Sequence, residues 1–390
     1  MLPTPHEPAP IPAPTLRAPS ERAAFVVGAG MVGLACAAAL ARRGFSPVVL
    51  ESGPAIGQGV SSRNSEVVHA GLYYPPGSLK ARHCVEGRRR LVAYCAARGL
   101  PLRACGKLVV ATDEAEIAKV EAIAERGREN GVEGLEMLEG ARARAMEPAL
   151  RCAAALHSPV TGIFDSHAVM LALLGEVEDA GGAVALRAAV RAVGRENGAY
   201  VLDVEDAGGG VERVDADVLV NAAGLGATGL ARRMDFFPPE RVPKLTLAKG
   251  HYFGFGGRAA FSRLIYPAPA DGGLGVHVTL DLSGRMRFGP DVEWIDDESV
   301  GYAADPARAE AFYAAIRRYW PALPDGSLVP DYAGIRPKLS GPGEPAADFF
   351  IEGPEAHGLP GLVQLFGIES PGLTSALSIA EDVADRALAA

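Results

Sequence analysis

Phe25-Val26-Val27 followed by Gly28-Ala29-Gly30-Met31-Val32-Gly33, and then Pro47-Val48-Val49-Leu50 closing on Glu51, is the stretch on which the fold turns. A short β-prone run leads into three glycines at fixed offsets. An Ala-rich helical stretch then ends at Gly44, and a second strand follows. In a β-turn-α unit the first glycine permits the tight turn, the second lets the backbone approach a pyrophosphate, and the third lets helix and strand pack. Glu51 stands eighteen residues after Gly33, where a carboxylate accepts from ribose hydroxyls and repels a 2′-phosphate. These residues imply a dinucleotide site that disfavours NADP.

Working outward, Ala23 to Ala41 is nineteen residues without a charge, a transmembrane or signal candidate on length alone. The glycine punctuation argues for a buried β-turn-α unit and a soluble protein instead. The whole chain has 390 residues, 48% of them hydrophobic, enough for a large core arranged in two domains or two interleaved halves. With 38 basic and 47 acidic side chains the net charge is −9, which argues against a nucleic-acid partner. Five cysteines without a CxxC pair suggest neither a disulfide framework nor a zinc ribbon. Eight histidines without HExxH or ligand-like spacing suggest no metal.

Seven prolines between Pro3 and Pro19 make residues 1–22 a flexible arm. Ser78 and Gly99 bound a helix, Lys107 to Ala111 reads as a strand, and Asp113 to Asn130 is an amphipathic helix. Asp165 or Ser166 caps a helix to Ala180. A β-meander then runs through Ala183 to Val193, Tyr200 to Val204 and Val218 to Ala222. Residues 244–292 have the aromatic and β-branched content of antiparallel strands. Asp305 to Tyr319 and Leu377 to Leu388 are helical. Arg88, Arg89 and Arg90 are expected on a solvated helix face, with Glu86 four residues before Arg90.

Val218 to Gly224 is an apolar strand ending in small residues, and Gly367 to Thr374 is a second Gly-bearing loop that precedes the last helix; two such loops let backbone approach a large flat ligand. With them, Ala23 to Ala390 resembles the D-amino-acid-oxidase-like superfamily of FAD-dependent oxidoreductases. The resemblance sharpens from Ser61 to Lys80 (SSRNSEVVHAGLYYPPGSLK), with Cys105 to Leu108, Gly275 to His277 and Gly334 to Leu339 in support. Those segments are similar to the bacterial L-2-hydroxyglutarate dehydrogenase and oxidase group. The resemblance implies an α/β fold, α+β overall, in which a Rossmann-like FAD-binding domain is interleaved with a smaller antiparallel-sheet substrate domain. The division expected is 23–80, 150–240 and 325–390 for FAD, and 81–149 with 241–324 for substrate.

FAD is therefore the expected cofactor, held by Gly28, Gly30, Gly33, Glu51, Ser61, Ser62, Asn64, Ser65, Ala223, Gly224, Gly367, Gly372, Leu373 and Thr374. The resemblance implies a small carboxylate substrate, an L-2-hydroxy acid related to L-2-hydroxyglutarate, oxidised by hydride transfer to flavin N5. An amino-acid or amine oxidation on the same fold is the alternative. Such chemistry needs a base for the hydroxyl proton and a fixed cation for the carboxylate. His69, with an ordinary pKa near 6.5, is the first candidate base or a flavin-tethering group. His277, in an alternating strand from Leu274 to Leu280, is the second candidate. Arg336, held extended before Pro337, suits bidentate carboxylate binding. Lys249, Tyr73, Tyr74 and Tyr252 are secondary substrate contacts. The electron acceptor, oxygen, a quinone or a carrier protein, is left open. The location expected is the cytoplasm, free or peripheral to the inner membrane.

Overall fold

The computed structural model describes Ala18, residues 21–269 and residues 275–389. Apart from Ala18, Glu21 and Arg22, the arm expected over 1–22 lies outside the described residues, as does Leu274.

β1 (Ala24–Val27), α1 (Met31–Ala41) and β2 (Val48–Glu51) form the predicted unit, with Phe25 paired to Val48 in parallel. The uncharged run from Ala23 is thus a strand and a separate helix. Among the described residues no helix is long and apolar enough to cross a membrane. β1 is flanked on its other side by Val218–Asn221, and the six-stranded sheet runs Phe350–Glu352, Leu362–Phe366, Val218–Asn221, β1, β2, Ala183–Leu186. All pairings are parallel except that of the Phe350–Glu352 edge. α1 packs against the last helix, Gly372–Leu388, and against Ser166–Asp179, which explains its almost uninterrupted Ala and Leu composition. Small residues let three helices and a sheet approach closely.

Among the described residues the second sheet has nine strands, and it holds the largest apolar cluster. Thr246–Phe255 is its organiser, pairing with Glu293–Ile295, Met286–Phe288 and Leu328–Lys338. Leu264–Pro267 joins Lys107–Ala111 in parallel, and Ala154–Ser158 continues the sheet beyond it. Two segments assigned by sequence to the cofactor half, Ala154–Ser158 and Leu328–Lys338, therefore lie in this sheet. Conversely, helix Leu79–Arg98, assigned largely to the substrate half, packs on Gly372–Leu388. The chain crosses between the sheets more often than composition reveals, because an apolar strand reads the same in either one.

Local signals performed as their chemistry dictates. Ser78 Oγ accepts from Ala81 N and Gly99 adopts φ 63°, bounding Leu79–Arg98, and Asp165 caps Ser166–Asp179. The meander differs from expectation. Its strands are Ala189–Glu196, Ala199–Glu205 and Val211–Ala216, while Ala183–Leu186 and Val218–Asn221 join the parallel sheet. Val211–Ala216 escaped notice because it is polar and mostly exposed. Of the three consecutive arginines, Arg89 and Arg90 are exposed, but Arg88 is buried and pairs with Glu133.

Candidate active site

The glycine loop leaves β1 with Gly28 at φ 103°, where a Cβ would lie 2.6 Å from Ala222 O. At Gly33 a Cβ would lie 1.9 Å from Gly28 O, so helix and loop touch backbone to backbone. At Gly30 it would meet Ser61 Oγ at 2.9 Å. α1 begins without a side-chain cap on Gly30 and with no acidic residue in its first turn, leaving its positive end available to an anion. Ser61 Oγ accepts from Met31 N at 2.9 Å, tying the Ser-rich loop to that helix end. Glu51 clasps the loop from below, its two oxygens accepting from Ala29 N at 2.9 Å and Gly53 N at 2.7 Å. A carboxylate has about four lone-pair sites, so these bonds leave acceptors for a ribose.

Gly28, Gly30, Gly33, Glu51, Ser61, Ala223 and Gly224 line a single cavity of about 1540 Å³ around the glycine loop, and Ser65 lines it where its hydroxyl meets Tyr252. Asn64 also lines it, but its amide folds its own loop, donating to Val60 O and Ser61 O and accepting from Glu66 N. Ser62 is exposed, does not line the cavity, and its hydroxyl turns back to Gly59 O. Gly372 and Leu373 line the wall farther along, whereas Gly367 and Thr374 stand behind it. Gly367 makes a turn at φ 65° against Leu339. Thr374 Oγ1 donates to Val67 O and accepts from His69 N, both at 3.0 Å, so it pins the histidine loop to the last helix.

The other end gathers His69, Tyr73, Tyr74, Tyr252, His277 and Arg336 from four separated segments. Arg336 donates to backbone, Nη2 to Asp291 O at 2.8 Å and Nε to Ala248 O at 3.3 Å, rather than to a carboxylate. Gly250, across the ladder, makes room for it, since a Cβ there would approach Nη2 to 3.0 Å. Lys249 departs from expectation. Strand alternation turns Gly250 and Tyr252 to the cavity, and Lys249 does not line it. His277 stacks on Tyr266 with centroids 3.6 Å apart and planes 10° from parallel. His69 Nε2 is 3.5 Å from Ser370 Oγ. Burial, then the nearby Lys107 and His277, push its pKa down to about 3, so its imidazole is neutral at ordinary pH.

Lys107, which the sequence did not single out, does not line the cavity but stands behind two of its tyrosines, Tyr73 and Tyr266. It is fully buried at the start of its strand, with Nζ 4.4 Å from the Tyr266 centroid and 5.0 Å from that of Tyr73. Burial lowers its pKa to about 7, and among the described residues its Nζ has no hydrogen-bond partner. The run Cys105-Gly106-Lys107-Leu108 carries the family resemblance and the start of a strand, but neither reading gives its lysine a role. Lys80, Lys338 and Glu369 were also missed; all three line the cavity. Among the described residues, no group of three His, Cys, Asp or Glu could hold a metal.

The cavity exceeds the roughly 300–1,000 Å³ usual for a small-molecule site, giving room for a dinucleotide and a second, small ligand. A β-α-β glycine loop at one end and histidine, arginine and tyrosine beside the nine-stranded sheet at the other define a dinucleotide-dependent oxidoreductase. The chain belongs to the FAD dependent oxidoreductase family, whose model matches residues 24–386, and its cofactor is FAD. The loop that only glycine permits, the open positive end of α1 and the Glu51 acceptor all suit the adenosine diphosphate portion.

The mitochondrial L-2-hydroxyglutarate dehydrogenase of Arabidopsis thaliana is 47% identical, over 93% of this chain and 83% of that protein. The L-2-hydroxyglutarate dehydrogenase of Indibacter alkaliphilus is 27% identical over 93% of this chain and 98% of its own. Among solved structures, the L-alpha-glycerophosphate oxidase of Mycoplasma pneumoniae superposes with a TM-score of 0.83 at 23% identity, covering 94% of both chains. That last likeness concerns the fold.

Proposed function

We propose that the protein oxidises a small L-2-hydroxy acid, L-2-hydroxyglutarate or a close analogue, to the 2-oxo acid. The observation that carries this reading is Arg336, a guanidinium on the cavity wall held by two carbonyls instead of a carboxylate, in the same cavity as two histidines. The 47% identical relative bearing an L-2-hydroxyglutarate dehydrogenase name supports it. When bound, FAD supplies the acceptor for the hydride that leaves C2.

The chain's own residues provide orientation and proton transfer. Arg336 binds the C1 carboxylate, and its backbone hydrogen bonds fix the fork before substrate arrives. His69, kept neutral by burial, is in the state required to take the hydroxyl proton. A pKa near 3 makes it a weak base in the empty cavity. An anionic substrate alongside raises that pKa, because a neighbouring negative charge favours imidazolium. His277, stacked on Tyr266, closes the wall and contacts substrate. Tyr73, Tyr74 and Tyr252 complete the enclosure around the reacting carbon.

Anaerobic titration of the yellow protein tests the reaction. Bleaching of the flavin band by L-2-hydroxyglutarate, and not by its D-enantiomer, L-lactate or amino acids, is expected. Bleaching by an amino acid instead would transfer the site to amine oxidation. For His69→Ala, flavin reduction at saturating substrate should slow by about 10²–10⁴-fold, with flavin retained; a colourless variant would make His69 a tether. We further place the protein in the cytoplasm, free or at the inner-membrane face, a setting that suits five unpaired thiols. Cell fractionation that recovers it in another compartment would refute that placement.

A further inference from the structure

Beside Arg336 the cavity wall carries a second cationic group, with no task in taking the hydroxyl proton or holding the C1 carboxylate. Lys80, in the first turn of helix Leu79–Arg98, and Lys338, the last residue of strand Leu328–Lys338, both donate to Glu369 Oε1, at 3.1 and 2.7 Å. All three side chains line the cavity, and Lys80 and Glu369 are buried. Burial opposes ionisation of Glu369, but the Lys80 and Lys338 ammoniums outweigh it and hold the carboxyl below its usual range. Asp348, in the same wall, is already engaged by the amides of Leu79, Lys80 and Phe349 at 2.7 to 2.8 Å.

Lys80 and Lys338 thus share the one carboxylate of Glu369, while Arg336 donates to backbone carbonyls. Two ammoniums on one carboxylate leave excess positive charge between them, which an anionic group entering the cavity relieves. Each ammonium carries three donors, so sharing Glu369 leaves others free. Arg336 and Lys338 lie two residues apart on one strand, which places them on one face about 6.6 Å apart along the chain. That spacing is comparable to the span between the ends of a short diacid.

We propose that Lys80 and Lys338 form a second carboxylate subsite, taking the distal carboxylate of a dicarboxylic 2-hydroxy acid while Arg336 takes the proximal one. This rests on the site being that of a 2-hydroxy-acid oxidoreductase, and within that reading it assigns the residues that hold the substrate's second carboxylate. A monocarboxylic hydroxy acid would leave the two lysines with excess charge unanswered. The same subsite explains why the lysines come from a helix and a strand that meet beside Glu369: the acid holds them together before the diacid arrives.

The test uses inert ligands on the FAD-loaded protein, glutarate and the five-carbon monoacid valerate, compared by calorimetry. Wild type should bind glutarate at least about tenfold more tightly than valerate, and Lys338→Gln and Lys80→Gln should each shrink that ratio to about twofold. Lys338→Arg should keep the preference. Retained flavin absorbance identifies folded variants, and should one glutamine variant fail to fold, the other decides. Equal binding of the two acids by wild type, or an equal loss for both acids in the glutamine variants, would overturn the subsite. Anaerobic L-2-hydroxyglutarate separates the two readings. Preference for glutarate without flavin bleaching upholds the diacid subsite and overturns the oxidation.

Discussion

The two ends of the cavity are built on opposite principles. The nucleotide end is made of backbone: Gly28, Gly30 and Gly33 contribute absence of side chain, and α1 contributes an unopposed positive terminus. The substrate end is made of polar side chains, several of them charged: Lys80, Arg336, Lys338, Glu369 and two histidines line it from segments far apart in the chain, with Lys107 buried behind the wall. A backbone site tolerates no added atom, whereas a charged site tolerates substitution in volume but not in sign. Changes at the first end should therefore remove flavin or fold, and changes at the second should leave the flavin and alter what the protein binds.

Gly33→Ala tests that contrast most severely. In a free helix, alanine is preferred to glycine by up to about 1 kcal/mol. Here the added Cβ would stand 1.9 Å from Gly28 O, a backbone atom that cannot swing away. Overpacking of this kind costs about 1–3 kcal/mol or more. The expected outcome is a lower Tm and protein purified without yellow colour. A stable, flavin-loaded Gly33→Ala would show that the loop can relax, and the contrast would fail.

Arg336→Ala should do the opposite, retaining flavin while weakening carboxylate substrates by about 2–5 kcal/mol, much of it the penalty of a buried carboxylate left unpaired. The readout is the concentration dependence of anaerobic flavin reduction. Unaltered dependence would take Arg336 out of the site.

Lys107→Met sharpens the comparison through stability. The folded pKa of Lys107 lies near 7, below its ordinary 10.5. The unfolded chain therefore binds the extra proton between those values. The destabilisation is complete below pH 7, shrinks as pH rises, and vanishes above about 10.5. Methionine should raise stability by a few kcal/mol at most, with the gain greatest at or below neutrality and fading in alkali. His69 acts in the same sense at lower pH, since its folded pKa near 3 lies below 6.5 and stability falls as pH drops through that window. Denaturant titrations of wild type and Lys107→Met at pH 6 and 10 check this. A gain independent of pH would mean packing, not charge, is responsible.

The same division explains what could be read from sequence. The nucleotide end was legible because most of its determinants, from Gly28 to Glu51, sit in one contiguous run, where spacing alone dictates strand, turn and helix. Arg336 and His277 were visible through short motifs beside glycine. Lys80 and Lys107 were on the page but silent, because nothing local distinguishes a buried lysine from a solvated one. Lys80 needs Glu369, 289 residues away, to acquire its meaning. Lys249 misled for the complementary reason. A cation beside Gly250 looks placed for substrate, but strand alternation sends it to the other face. The sheet membership of Ala154–Ser158 was likewise set by its partners Lys107–Ala111 and Glu136–Glu139 rather than by its own residues.

Ser61→Ala is the smallest change and the most delicate, because Ser61 is a side chain at the backbone end. Its Oγ accepts from Met31 N at 2.9 Å and lies where a Cβ on Gly30 would intrude, so it occupies the angle between the glycine loop and the Ser-rich loop. Removing the hydroxyl leaves one helix-terminal amide without this partner, at a cost of about 1 kcal/mol in the absence of ligand. An anion at that helix end can take up the freed amide, so the cost should be smaller with FAD bound than without it. Thermal unfolding of apo and FAD-loaded protein therefore should show a larger loss of Tm for Ser61→Ala in the apo form. An equal loss in both forms would mean that Ser61 keeps its amide when the nucleotide is present, and that the Ser-rich loop braces the helix rather than yielding to the phosphate.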